Sequence, residues 1–416
     1  MATSPTRRWI PRRTPLSMRN VTHQRVRSFT AIAGLCFAVV LVLLQLGFLG
    51  AVAITATNVY NRLAFDIALV SPEYEQFYNP SSFPRSRLWQ AKSIAGVVDA
   101  KPLWTTMGLW RCPPKPLDPS STSLFDRIPV VSKPPRGVIR RGLCIIGVDL
   151  DENPFRGKLG KAIDAAASRL RVRRTVILDR LSHPDFGWAV RNEFNGWELN
   201  NQEVSIVDGY ELGSGFAADG SVICSEENFV RFEPMANELE VNIGLVSLAD
   251  SGADIEELVE EMNRRLPPDV IALTRDQLDD RERYYWVRNT ATGDLFGFGV
   301  FVALCVGCVV IYQVLSADVI SRLPEYATLK AIGYSNLYLT SVILKQATIY
   351  AIASCIPAVA IAAVLYQITA ALANIPMELT WQNILFVFLA SLTTCMGSAL
   401  LTVRRVRTAD PAELFR

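Results

Sequence analysis

The residues in this chain that could do chemistry are few and poorly placed for it. Two histidines occur in 416 residues, His23 and His183. A Ser-His-Asp relay or an H-E-x-x-H zinc site needs imidazole at a set spacing from a nucleophile, an acid or a second imidazole. Neither histidine has that company, and His183 precedes Pro184 in a turn signal. The G-x-S-x-G elbow is absent. Cys305 and Cys308 form a C-x-x-C, but it sits inside an apolar run and lacks the second pair that a four-ligand metal site requires. A phosphate loop, G-x-x-x-x-G-K-S/T, surrounds phosphates with backbone amides, a lysine and a hydroxyl. The nearest approach is Gly160-Lys161, where Phe155 replaces the first glycine and Ala162 the hydroxyl. The expectation is a non-enzyme: no catalytic residue, no metal and no cofactor bound by this chain.

The elements that would position any site are dominated by apolar runs. A membrane span needs about 20 apolar residues. Residues 31–57 supply the first, with no charge between Arg27 and Arg62. The run exceeds the apolar core of a cleaved signal, about 7–15 residues, so it reads as an uncleaved anchor. Further spans are expected at 293–317, 341–370 and 382–403, the third carrying Pro357, a kinking residue. Their apolar cores at 295–317, 346–377 and 379–403 hold no Asp, Glu, Lys or Arg, which an ion-coupled carrier would use. Gln45 is a lone polar residue suited to bridging two helices.

Residues 1–30 carry seven arginines, no acid and prolines at 5, 11 and 15, a composition for a disordered basic arm. An organellar transit peptide has similar usage. The tail, 404–416, opens on Arg404, Arg405 and Arg407, whereas the loop at 371–381 holds Glu378 and no Lys or Arg. Basic flanks stay in the cytoplasm. Both termini and the segment 318–340 are therefore expected there, and residues 58–292 on the opposite side. A net charge of +2 gives no footprint for nucleic acid.

Within 58–292, strands are expected at 138–150, 171–179, 203–212, 221–225, 239–249 and 270–274. Ile255, Leu258, Val259, Met262 and Leu266 fall on one helical face, with Asp254 near its start. Residues 112–136, rich in Pro and Ser, read as an exposed loop. The charged stretch 276–288 reads as a stalk helix running into the second span, with Tyr284, Tyr285 and Trp286 near the headgroups. Cys112, Cys144 and Cys224 permit at most one disulfide. The fold class expected is a polytopic α-helical membrane protein: four transmembrane helices plus one large mixed α+β extracytoplasmic domain between helices 1 and 2.

The most informative polar stretch is RLPEYATLKAIGYS, residues 322–335, between two apolar runs. Pro324 suits a first helical position, Glu325 the positive N-terminal end and Lys330 the other end; Gly333 can take the left-handed conformation that stops a helix. Leu323, Tyr326, Leu329 and Ile332 form an apolar stripe. Two readings follow, a loop helix lying on lipid headgroups or a lever that docks into a cytoplasmic partner.

These residues carry a resemblance. One span, a large domain and three spans, with Leu323–Ser335 in the cytoplasmic island, resemble the MacB/FtsX-like permeases of ABC systems. The closer resemblance is to the DevC family found in cyanobacteria. ELGSGFAADG at 211–220, NFVR at 228–231, FPRSRL at 83–88 and ADPAE at 409–413 look like motifs of that family. The basic arm, and Asp208-Gly209-Tyr210 ahead of Glu211, depart from its pattern.

The resemblance implies a homodimeric permease in a bacterial inner membrane, driven by ATP hydrolysed in a separate cytoplasmic ABC ATPase. It further implies a periplasmic adaptor (membrane fusion) protein, a TolC-like outer-membrane channel and an amphipathic or lipidic substrate. On that footing Pro324, Glu325, Tyr326, Leu329, Lys330, Ile332 and Gly333 are candidates for ATPase coupling. Glu211, Gly213, Gly215, Phe216, Ala217, Asp219 and Gly220 are candidates for an adaptor contact, set against a tight turn that merely closes a sheet. Two related readings share the topology: an FtsX-like regulator of a cell-wall hydrolase and a lipoprotein-releasing permease.

Overall fold

A computed structural model describes residues 25–112, 140–191, 196–213, 218–249, 254–321, 324–325, 328–329, 332–373 and 376–408. The basic arm up to residue 24, the loop at 113–139 and the ADPAE tail lie outside the described residues. The chain divides into two units, one built from 51–293 with 373–376 and the other from the remaining membrane-type helices.

Helix α1, Arg25–Thr57, crosses from the second unit into the first. The body that follows holds a nine-stranded sheet with helices on both faces and a separate two-stranded sheet. Its elements in order are β1 Ile67–Val70, β2 Phe83–Pro84, α2 Ser86–Lys92, β3 Val97–Arg111 and β4 Arg140–Val148. Next come α3 Gly157–Leu170, β5 Thr175–Asp179, β6 Trp197–Leu199, β7 Gln202–Tyr210 and β8 Ser221–Ser225. The body ends with α4 Glu226–Phe232, β9 Glu240–Val241, β10 Ile243–Leu248, α5 Ile255–Arg265, β11 Ile271–Thr274 and α6 Arg275–Arg288.

The strand order is β11-β1-β10-β3-β4-β8-β5-β7-β6, and β6 returns to pair with the far end of β3. Fifteen residues make β3 long enough to serve β10 with its first half and β4 and β6 with its second. Six strands thus close into a ring. Trp110, Leu143, Val222, Val176, Val204 and Leu199, one from each strand of the ring, share a single buried cluster. Alternation across the pleat sends neighbours to opposite faces. Ile67 and Leu69 join that cluster with α2, α4 and α5, while Ala68 and Val70 join a second one with α3 and α6. With both faces covered, a strand such as IALV reads as an unbroken apolar run.

The mixed α+β class agrees with expectation, but its boundaries differ instructively. The expected strand at 171–179 begins only at Thr175, because α3 ends at Leu170 and Arg174 takes a positive φ of 62°. The expected strand at 239–249 is split at Asn242, which leaves β9 to pair with β2 and β10 with β1 and β3. Asn242 also accepts from the Thr105 amide at 3.0 Å. The amphipathic reading of α5 matches: Val259, Met262 and Leu266 are buried, and Asp254 accepts from the Glu257 amide.

Helix α6 begins with a capping box between Thr274 and Gln277. It does not run unbroken into the next helix. Thr290 Oγ1 bonds the Trp286 carbonyl at 2.6 Å and accepts from the Gly293 amide at 3.3 Å, closing one helix and opening another. Gly293 is required at this turn, since a Cβ there would lie 2.1 Å from the Val287 carbonyl oxygen. Trp286 is half-buried, packing edge-on to Tyr78 at 6.0 Å, whereas Tyr284 is exposed.

The second unit is helical: part of α1, then α7 Ala291–Ser321, α8 Asn336–Ala373 and α9 Trp381–Thr408. Four helices, with cores at Ser28–Thr57, Ala291–Ser321, Thr340–Ala370 and Trp381–Leu401, are long and apolar enough to cross a membrane. Helix α8 continues through Pro357. Gln45 lies against Gly299 of α7, where a Cβ would come within 2.6 Å of its amide carbon. Phe48 stacks on Phe296 at 5.3 Å, and Tyr366 donates to the Leu43 carbonyl.

Candidate functional site

The polar segment between α7 and α8 forms a short, locally closed turn of helix. Pro324, Glu325, Thr328 and Leu329 are helical. Thr328 Oγ1 donates to the Pro324 carbonyl at 2.8 Å, and the Ile332 amide to the Thr328 carbonyl at 3.0 Å. Gly333 takes a φ of 102°, and the Tyr334 amide reaches back to the Leu329 carbonyl at 3.0 Å. That six-to-one closure around a left-handed glycine is a Schellman stop. Ser335 then caps α8, its hydroxyl accepting from the Tyr338 amide at 3.3 Å.

The side chains divide sharply. Leu329 packs on the buried cluster of the membrane helices, while Pro324, Glu325 and Ile332 are exposed, Ile332 at 70 %. The expected stripe is therefore anchored at Leu329 and open at Ile332. Tyr326 and Lys330 lie outside the described residues.

The second candidate, 211–220, is held by a residue that sequence reasoning passed over. Asp179, fully buried at the end of β5, accepts from the amides of Leu212 at 3.1 Å and Gly213 at 2.8 Å, and from Leu181 at 3.0 Å. Burial raises its pKa while these amides pull it back down. Gly213 needs its freedom, with a φ of 96°. Asn58, the residue after α1, donates to the Leu212 carbonyl at 2.9 Å, so the loop seats the exit of the first helix.

At the other end Asp219 is engaged by Arg141 at 2.9 Å, and the same guanidinium holds Asp185 at 2.6 Å. Gly220 packs against Ser182, where a Cβ would fall 2.6 Å from the hydroxyl oxygen. Glu211 is exposed. Gly215, Phe216 and Ala217 lie outside the described residues. The described ends of the run are thus structurally committed, with the Glu211 and Asp219 carboxylates both at the surface.

A third cluster was missed entirely. Glu282 of α6 is wholly buried, and its Oε1 lies 2.8 Å from the Tyr60 hydroxyl and 2.7 Å from that of Tyr74. The two phenols are 2.5 Å apart. The signal that could have found it is the stripe Leu278, Glu282, Trp286 at steps of four, which places the carboxylate on the inward face of a helix. Burial pushes the Glu282 carboxyl up to about 7, against the pull of Tyr74 and Tyr60. Burial likewise pushes the Cys144 thiol up to about 12, and the buried Cys224 thiol upward too, so neither is a nucleophile at neutral pH. Among the described residues no group of three His, Cys, Asp or Glu side chains is disposed to hold a metal.

Four apolar helices and an intervening α+β body define a multi-pass membrane protein. Residues 297–411 match the FtsX-like permease C-terminal family. Among solved structures it is similar to the periplasmic region of MacB from Actinobacillus actinomycetemcomitans, at 7 % identity and a TM-score of 0.31, over 54 % of this chain and 94 % of that one. It is also similar to the extracellular domain of the noncanonic ABC-type transporter YknZ from Gram-positive bacteria. That likeness has 11 % identity and a TM-score of 0.30, over 50 % of this chain and 99 % of the other. No curated protein matches the sequence.

Proposed function

We propose that this chain is an FtsX-like permease, the membrane subunit of an ABC export system, and works by mechanical transmission. A separate cytoplasmic ATPase, closing on ATP, pushes the segment 324–333; the motion passes through the membrane helices and reshapes the 58–292 domain on the far side. An amphipathic or lipidic substrate is thereby expelled through an adaptor and an outer-membrane channel. The working unit is a homodimer with both termini in the cytoplasm. The observation that carries this reading is the segment itself. It is closed by its own hydrogen bonds, anchored on the membrane helices at Leu329, and leaves Pro324, Glu325 and Ile332 open for a partner.

The apolar cores of the membrane helices also lack the charged groups that an ion-coupled pump would need. The reading is tested by purifying the full chain in mild detergent and identifying its companions. An ATP-hydrolysing subunit together with an adaptor is expected. Co-purification of a cell-wall hydrolase in place of the adaptor, or of a lipoprotein acceptor, would transfer the chain to one of those relatives' roles. In parallel, Glu325→Arg should abolish export at unchanged membrane level; normal export would count against docking at this segment.

A further inference from the structure

Two stretches of chain join the α+β body to the membrane helices: the exit of α1, and α6 leading through Asn289 and Thr290 to α7. Within the body these two stretches are tied together at Glu282. Tyr60 stands three residues beyond the end of α1, and Tyr74 follows β1. Three oxygens, the two phenols and Oε1, are mutually within 2.5–2.8 Å. Three such contacts need three protons, and the tyrosines carry only two. The third belongs to the carboxyl, so the closed triangle requires Glu282 in its acid form. Ionised, one contact becomes two oxygens facing each other with no hydrogen between them, in a site without water-like surroundings.

Tyr74, Tyr60, the Phe77 backbone and the Trp286 indole all favour the ionised carboxyl, but burial outweighs them. Among the described residues no lysine or arginine forms an ion pair with Glu282. Arg275 instead donates to the Tyr60 carbonyl at 2.5 Å, and Arg281 to the Pro72 carbonyl at 3.1 Å. From the other elements packed here come Tyr74, Tyr78 beside Trp286, and Cys144 near Tyr78, all neutral; Asp279 on α6 is a further acid. The buried Oε2 of Glu282 has no hydrogen-bond partner among the described residues.

We propose that Glu282 is a positioning residue of the relay: its protonated carboxyl, closed on Tyr60 and Tyr74, locks α6 to the exit of the first helix, and loss of that proton releases the lock. The inference rests on the transmission reading for its purpose, but the lock is a property of this chain alone. Rising pH opens it and falling pH closes it, because the body holds the Glu282 proton more tightly than an unfolded chain would.

The test is hydrogen–deuterium exchange on the full chain in lipid nanodiscs at pH 6 and pH 8.5, corrected for intrinsic rates, read on peptides covering 58–74 and 275–288. Wild type should lose protection by tenfold or more at the higher pH. Glu282→Gln, which stays neutral and can still donate from its amide, should show equal protection at both. Glu282→Ala should be poorly protected at both, while peptides of β8 stay unchanged in every variant. Wild-type protection that is the same at both pH values, or a Gln variant that loosens as wild type does, would overturn the lock. Neither result bears on the export reading, which fails separately if the purified chain brings no ATP-hydrolysing subunit with it.

Discussion

The segment 324–333 and the Glu282 triangle are both made of hydrogen bonds at the ends of membrane-type helices, yet they are built in opposite ways. Every described hydrogen bond of the first is local: Thr328 to Pro324, Ile332 to Thr328, Tyr334 to Leu329. The second joins positions 222 and 208 residues apart. Local closure leaves the described residues of the segment resting on one apolar anchor, Leu329. Long-range closure makes a joint between two crossings of the chain. On the proposed transmission reading, the first construction suits a part that receives a push and the second a part that passes it on.

The strongest way to break the contrast is to remove the other long-range hub. Asp179→Ala leaves three amides and the loop seated on Asn58 without their acceptor. Unfolding of the α+β body should become easier by roughly 3 kcal/mol or more, measured by denaturant titration, and the 324–333 segment should exchange as before. Next comes pH. The Glu282 carboxyl rises from 4.5 to about 7 in the folded body, so the folded state binds its proton the more tightly. The contribution of Glu282 to stability is full at low pH and is lost as pH climbs between those values, by on the order of 3 kcal/mol. Thermal melts of wild type against Glu282→Gln isolate that slope, which the Gln variant should lose.

Gly333→Val should cost about 1–2 kcal/mol locally, because a side chain resists the left-handed backbone. Export should fall at normal membrane level while protection of the α+β body is unchanged; equal loss in both places would erase the distinction between the regions. Tyr74→Phe, removing one donor of the triangle, should destabilise the body by about 1 kcal/mol and leave the 324–333 segment untouched. Smallest is Thr274→Ala, which removes the cap of α6 and should cost ~1 kcal/mol, read as faster exchange confined to the first turn of that helix.

Much of this was legible because some signals are local. Twenty or more apolar residues without a charge announce a span, and a glycine after LKAI announces a helix stop. Asp254 before an Ile-Leu-Val-Met stripe announces α5. Other features depended on partners distant in sequence. Glu282 hides in RDQLDDRERYYWVR, where composition suggests a solvated stalk and only Tyr60 and Tyr74 reveal which carboxylate is inside. Asp179 looks like the polar end of TVILD until the amides of 212 and 213 fold back on it. The 15-residue β3 was not anticipated, because it serves three partners along its length and its pattern changes as its neighbours do. Strand pairing of that kind is a property of the whole sheet.

The most direct trial of the transmission account is photocrosslinking from Ile332 in native membranes, with an unnatural photoreactive residue at that exposed position. The account predicts an adduct with an ATP-hydrolysing subunit, strengthened when that subunit is trapped with a non-hydrolysable nucleotide. Adducts with lipid alone, unchanged by nucleotide, would contradict it and leave the segment as a helix resting on headgroups.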